Sequence, residues 1–138
     1  IYEKVQDLDL NIFRSLEAND VLFLDTTHVS KMGSEVNYLM FNVLPLLKPG
    51  VIVHVHEIFY PFEYPASFYH KGKLWNELYL WRAFLMHNAD YEIVLFNNWL
   101  GKKHAGLMAE NMPDFFRKGH EKVNVQVEGS SLWLRKVS

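Results

Sequence analysis

Asn19-Asp20-Val21-Leu22-Phe23-Leu24-Asp25-Thr26-Thr27-His28 and Leu46-Leu47-Lys48-Pro49-Gly50-Val51-Ile52-Val53-His54-Val55-His56-Glu57 decide the fold of this chain. Each carries an apolar, β-prone run without alternation, the pattern of a strand buried on both faces. Each then ends in ionisable side chains. Residues 34–47 between them read as a helix. Ser34 is the N-cap, and Val36, Leu39, Met40, Val43, Leu44 and Leu47 fall at helical spacing. Pro45 and Lys48-Pro49-Gly50 stop it. Strand, helix, strand is the grammar of neighbouring parallel strands. In such sheets ligands sit at the carboxyl ends. Asp25-Thr26-Thr27-His28 and His54-Val55-His56-Glu57 are therefore expected side by side at one sheet edge.

Outward from this centre, residues 1–20 hold an amphipathic segment (Leu8, Leu10, Ile12, Phe13, Leu16). Asp9 or Asn11 is the expected cap of a short helix ending near Asn19-Asp20. Residues 59–70 form a Pro- and aromatic-rich loop. Residues 73–88 read as a helix apolar nearly all round, a mark of burial on several sides or of an interface. Tyr91 to Phe96 is a third strand. Residues 102–120 read as irregular, with a short helix before Pro113. Ser131 to Lys136 is a last strand, with Leu132 and Leu134 alternating against Trp133 and Arg135. Gly33-Ser34 and Gly101 read as lone loop glycines. The whole is α/β and a single domain over 1–138.

The 138 residues carry a formal net charge of −2 and no basic block, which argues against nucleic acid as a partner. Cysteine is absent, which excludes disulfides, thiolate metal sites and a Cys nucleophile within these residues. That composition is compatible with a reducing cytoplasm, the expected location. No apolar run approaches the ~18 residues of a membrane helix. The first residue is Ile, which reads as a sequence beginning partway through a longer protein. Ser-nucleophile, Walker and Gly-rich dinucleotide motifs do not occur.

Several residues carry two readings each. Asp25 ligates a cation or orients a substrate hydroxyl, or it caps its loop. His28 is a general base, or a loop histidine bonded to backbone. His54 and His56 share one strand face as a His-x-His pair, a two-ligand metal signal, or they are packed strand histidines. Glu57, just past the strand, can join Asp25 around an oxygen-ligated Mg²⁺. The aromatic loop is a substrate lid, or a packed loop or dimer contact. Trp75, Tyr79 and Trp81 read as core. Arg82, in an apolar helix, calls for a partner such as Glu77 or a terminal carboxylate.

The two opening stretches resemble the fourth and fifth strands of class I S-adenosylmethionine-dependent methyltransferases. The likeness is to the macrocin-type O-methyltransferase branch, with Asp-x-x-His after the fourth strand and Leu-Lys-Pro-Gly before the fifth. Gly129-Ser130-Ser131-Leu132-Trp133-Leu134-Arg135 resembles that family's last, antiparallel strand. The resemblance runs from about Val5 to Lys136 and implies a partial Rossmann-like methyltransferase sheet: strands four to seven, the last antiparallel, with flanking helices. It also implies that the cofactor-binding N-terminal half, with its Gly-x-Gly turn, is not in this sequence. The chain alone is then expected not to be a competent enzyme, S-adenosylmethionine being bound by a full-length parent.

By the same resemblance Asp25 and Glu57 hold a divalent cation such as Mg²⁺, and His28 removes the proton of a small-molecule acceptor's hydroxyl; His56, beside Glu57, is a further candidate metal donor from the His-x-His reading. Two positions depart from the family. Glu57 stands where Asp is usual, and Val51 follows Gly50 where a second Gly is usual. Lacking its neighbour, strand 21–25 becomes an apolar edge and implies a homodimer through it. Two alternatives stand beside this reading: a non-catalytic α/β oligomerisation or binding domain, and a small metal-dependent hydrolase using His54, His56 and Asp25.

Overall fold

The computed structural model describes residues 2–116 and 129–138. Among the described residues, four strands form one open sheet: β1 (Val21–Leu24), β2 (Ile52–His56), β3 (Tyr91–Phe96) and β4 (Ser131–Lys136), in the order β1-β2-β4-β3. β1 and β2 are parallel neighbours, with Phe23 opposite His54 and Leu24 opposite Val55. β4 lies between β2 and β3 and is antiparallel to both. The chain is thus α/β with a mixed sheet and flanking helices. The last strand runs against the other three.

One sheet face carries the core. Leu24, Val53, Val55, Leu132 and Leu134 form one buried cluster with Leu39, Met40, Val43, Leu44, Leu78 and Trp81. Burying each such side chain stabilises by about 1.5–3 kcal/mol, and this fixes the strand register. The opposite face is open on β1, where Val21 is 51 % and Phe23 60 % exposed. The expectation that strand 21–25 is buried on both faces is therefore corrected. β1 is an edge strand covered from one side only, so its unbroken apolar run leaves alternate side chains in water.

The helix expected over 34–47 begins as α2 (Glu35–Tyr38), where the Ser34 hydroxyl accepts from Asn37 N–H. It continues as a π-turn over Leu39–Val43 and a 3₁₀ turn over Leu44–Leu46. Pro45 has no N–H to offer the carbonyl of Phe41, and its ring crowds that turn. Pairing shifts instead to Leu44 N–H on Leu39 O, the wider spacing of a π-bulge. Near the N-terminus, α1 spans only Asn11–Arg14, and Asp9 accepts from Asn11 N–H. It stops short of the expected end near Asn19.

The helix expected over 73–88 is shorter. The aromatic loop contains α3 (Ala66–His70), and α4 (Glu77–Met86) starts only after Asn76. α4 buries Glu77, Leu78 and Trp81, while Tyr79 and Met86 are exposed. Only Trp81 of the three expected core aromatics is fully buried. Arg82 is exposed, so water solvates it and no buried partner is required. After β3 the chain forms α5 (Asn97–Lys103), whose last two residues enter the stretch expected to be irregular, and α6 (Ala105–Asn111), the short helix expected before Pro113. Gly101 is buried inside α5 rather than in a loop. Residues 117–120 of the expected irregular stretch lie outside the described residues. No helix among the described residues is long and apolar enough to cross a membrane.

Candidate functional site

The carboxyl ends of β1 and β2 meet at His28. The chain leaves β1 through Asp25-Thr26-Thr27 and turns back so that His28 is 4 % exposed. The Thr26 hydroxyl accepts from His28 N–H at 3.0 Å and shapes the turn. Glu35 in the first turn of α2 accepts from Thr27 N–H at 2.6 Å. Burial acts to raise the Glu35 pKa, but the hydrogen bonds from Thr27 and the Glu35 backbone, with the charge of Lys31, together outweigh it and leave it lowered.

His28 Nε2 lies 3.2 Å from Glu57 Oε2 and 3.6 Å from Asp25 Oδ1. On its other side, His28 Nδ1 lies 2.9 Å from Glu77 Oε2. Glu77 is 2 % exposed and takes two further donors, Thr26 Oγ1 at 2.5 Å and Trp81 Nε1 at 3.0 Å. Asp25 and Glu57 face outward, their side chains 55 % and 24 % exposed. The imidazole is thus anchored on a buried carboxylate at one nitrogen and presented to a solvent-facing carboxylate rim at the other. Such an edge can pass a proton to or from a bound molecule.

The backbone at this site is unusual. His28 has φ +60° and Glu57 φ +55°. A left-handed conformation at a residue other than Gly, Asn or Asp costs on the order of 1 kcal/mol and persists only where its surroundings enforce it. At both positions it turns the side chain toward the other strand's tip.

An aromatic wall stands beside the imidazole. The Trp75 ring lies against His28 with centroids 4.1 Å apart. Phe68 and Tyr64 pack edge-on to Trp75, and Phe59 joins Tyr64 and Phe68. The Tyr64 hydroxyl accepts from Leu78 N–H, and burial raises its pKa. Lys73 Nζ sits 4.0 Å from the Trp75 ring centroid and 4.5 Å from that of Phe68. The aromatic loop therefore borders the crevice.

Of the residues singled out from sequence, Asp25, His28 and Glu57 come together. His56 does not reach His28. Its ring stacks near His54 and Phe23 on the open face of the sheet. His54 lies between Phe23, at 4.5 Å, and Trp133, also at 4.5 Å. Both its ring nitrogens are buried without a hydrogen-bond partner among the described residues. No group of three or more His, Asp or Glu side chains among the described residues is arranged to hold a metal ion. Asp25 and Glu57 supply two converging oxygens, and His28 Nε2 stands where they converge.

Trp75, Asn76 and Glu77 were not legible as site residues. One signal was present: Glu77, Leu78 and Trp81 share a helix face, so a carboxylate sits inside an apolar stripe. Comparison with protein-family models, with curated proteins and with solved structures returned no match.

Proposed function

We propose that these residues form the acceptor side of an S-adenosylmethionine-dependent O-methyltransferase with a Rossmann-like sheet, in which His28 removes the proton of an acceptor hydroxyl. One observation carries the reading. Parallel neighbouring strands bring Asp25-x-x-His28 and Glu57 to one point, with His28 Nε2 turned to the carboxylate rim. The antiparallel last strand supports it as well. When bound, S-adenosylmethionine supplies the methyl group.

The chain's own residues do the rest. His28 Nε2 takes the hydroxyl proton, and Glu57 beside it shares that proton. Asp25 orients the acceptor through its exposed carboxylate. The wall of Trp75, Phe68 and Tyr64 holds the acceptor's apolar part and excludes water, which strengthens each polar contact. Asp25, His56 and Glu57 do not form a three-donor cation set, so no step is routed through a metal. On this reading the cofactor seat is not among these residues, and the chain alone does not turn over.

Calorimetry and tritiated methyl transfer test the proposal. The chain alone is expected to give no heat with S-adenosylmethionine. Fused behind the first three strands of a macrocin-type enzyme, it is expected to bind the cofactor and methylate a hydroxylated acceptor. His28→Ala is expected to slow transfer roughly 100-fold or more. Transfer undiminished in His28→Ala contradicts the proposal, as does a folded fusion that does not bind the cofactor. A second reading, a non-catalytic α/β domain that associates through β1, is favoured by the exposure of Val21 and Phe23.

A further inference from the structure

Three consecutive residues grip His28 from every side. Trp75 covers the face of its ring. Asn76 N–H and Glu77 N–H donate to the His28 carbonyl at 3.0 and 3.2 Å. Glu77 Oε2 meets Nδ1. The Asn76 side chain adds a two-way clamp one turn further on: Oδ1 accepts from Ser30 N–H at 2.6 Å, and Nδ2 donates to Ser30 O at 3.1 Å. Asn is a strong N-cap, yet Asn76 makes no side-chain cap to α4. Its side-chain amide, its own N–H and the Glu77 N–H are all turned to the 28–30 loop instead. That loop includes the left-handed His28, so the grip holds the backbone where it would not rest unaided.

Glu77 is the informative member. A carboxylate this buried is costly unless its oxygens are filled, and three donors fill them. Of the three carboxylates around the ring, Glu77 is the one in hydrogen-bond geometry, and because an ionised carboxylate only accepts, Nδ1 donates to it; Glu57 and Asp25, 3.2 and 3.6 Å from Nε2, are rim groups that water also solvates. Trp81 and Thr26 fix the direction in which Glu77 points. We infer that Trp75-Asn76-Glu77 is the positioning element of this site, with Glu77 acting through His28 by holding its imidazole in the Nδ1–H tautomer and leaving Nε2 as the reacting atom. This deepens the reading of His28 as a base and rests on it for its purpose. The tautomer itself does not depend on methyl transfer.

The test is a two-bond ¹H–¹⁵N correlation spectrum of the histidine rings in the 138-residue chain, with His28 assigned by its absence from His28→Gln. With its ring neutral, wild-type His28 is expected as the Nδ1–H tautomer. In Glu77→Gln the ratio of Nδ1–H to Nε2–H is expected to fall about 10-fold or more, the loss of one charge-assisted hydrogen bond. Glu77→Asp is expected to restore it in part. A wild-type His28 in the Nε2–H form overturns the inference, as does a folded Glu77→Gln with an unchanged ratio. Should Glu77→Gln not fold, the wild-type tautomer decides alone. No cofactor is present, so this outcome is separate from that of the methyl-transfer assay.

Discussion

His54 shows how a residue can be legible in kind and not in role. A His-x-His pair on a strand suggests a metal, but the ring lies between Phe23 and Trp133, with both nitrogens unpaired among the described residues. An unsatisfied buried polar side chain costs roughly 1–3 kcal/mol. Replacing it with Phe keeps the stacking and removes that cost. His54→Phe is therefore expected to raise unfolding free energy by about 1 kcal/mol in urea titration. Burial, with some repulsion from His56, lowers the His54 pKa below its ordinary 6.5. The unfolded chain then binds this proton more readily than the folded one. The wild type should lose stability as pH falls below about 6.5, and His54→Phe should flatten that part of the profile. A profile identical in the two proteins contradicts the assignment.

At the level of elements, strands were more legible than helices. β3 and β4 fall on the residues their sequence pattern indicates, because each is flanked by turn residues and carries the alternation or density a strand requires. The helix over 35–46 was legible in extent, but not in its π-turn, which depends on how Pro45 is accommodated. The start of α4 was misjudged because Lys73 to Asn76 continue its apolar pattern while being held by aromatic and loop contacts. Gly50 illustrates an element boundary with a steric cause. It has φ +91°, and a Cβ there would come within 2.5 Å of Ala18 Cβ. Its N–H donates to Lys136 O and its carbonyl accepts from Asn19 N–H, tying β1, β2 and β4 together. Gly50→Ala is expected to cost about 2–4 kcal/mol, from strain and overpacking together. Thermal or urea unfolding checks this, and a loss under about 0.5 kcal/mol contradicts it.

For the whole molecule, the meeting of Asp25, His28 and Glu57 was legible because parallel neighbours deliver their carboxyl ends to one edge. Glu77 was not, since nothing local indicates that α4 returns its first turn to a loop 49 positions earlier. The same architecture leaves β1 as an edge without Lys or Pro, the usual guards against pairing with another chain. Association of two copies through β1 is the proposed consequence. Sedimentation velocity is expected to show concentration-dependent self-association, and Phe23→Lys is expected to shift it to monomer. A wild type that stays monomeric at all concentrations contradicts that proposal.

The central claim is that the tips of β1 and β2 form one site at His28. A double-mutant cycle of His28→Gln and Glu57→Gln, read by urea unfolding at neutral pH, tests it most directly. The account predicts a coupling free energy of roughly 0.5–3 kcal/mol between the two positions. Additive losses, with no coupling beyond error, would contradict it.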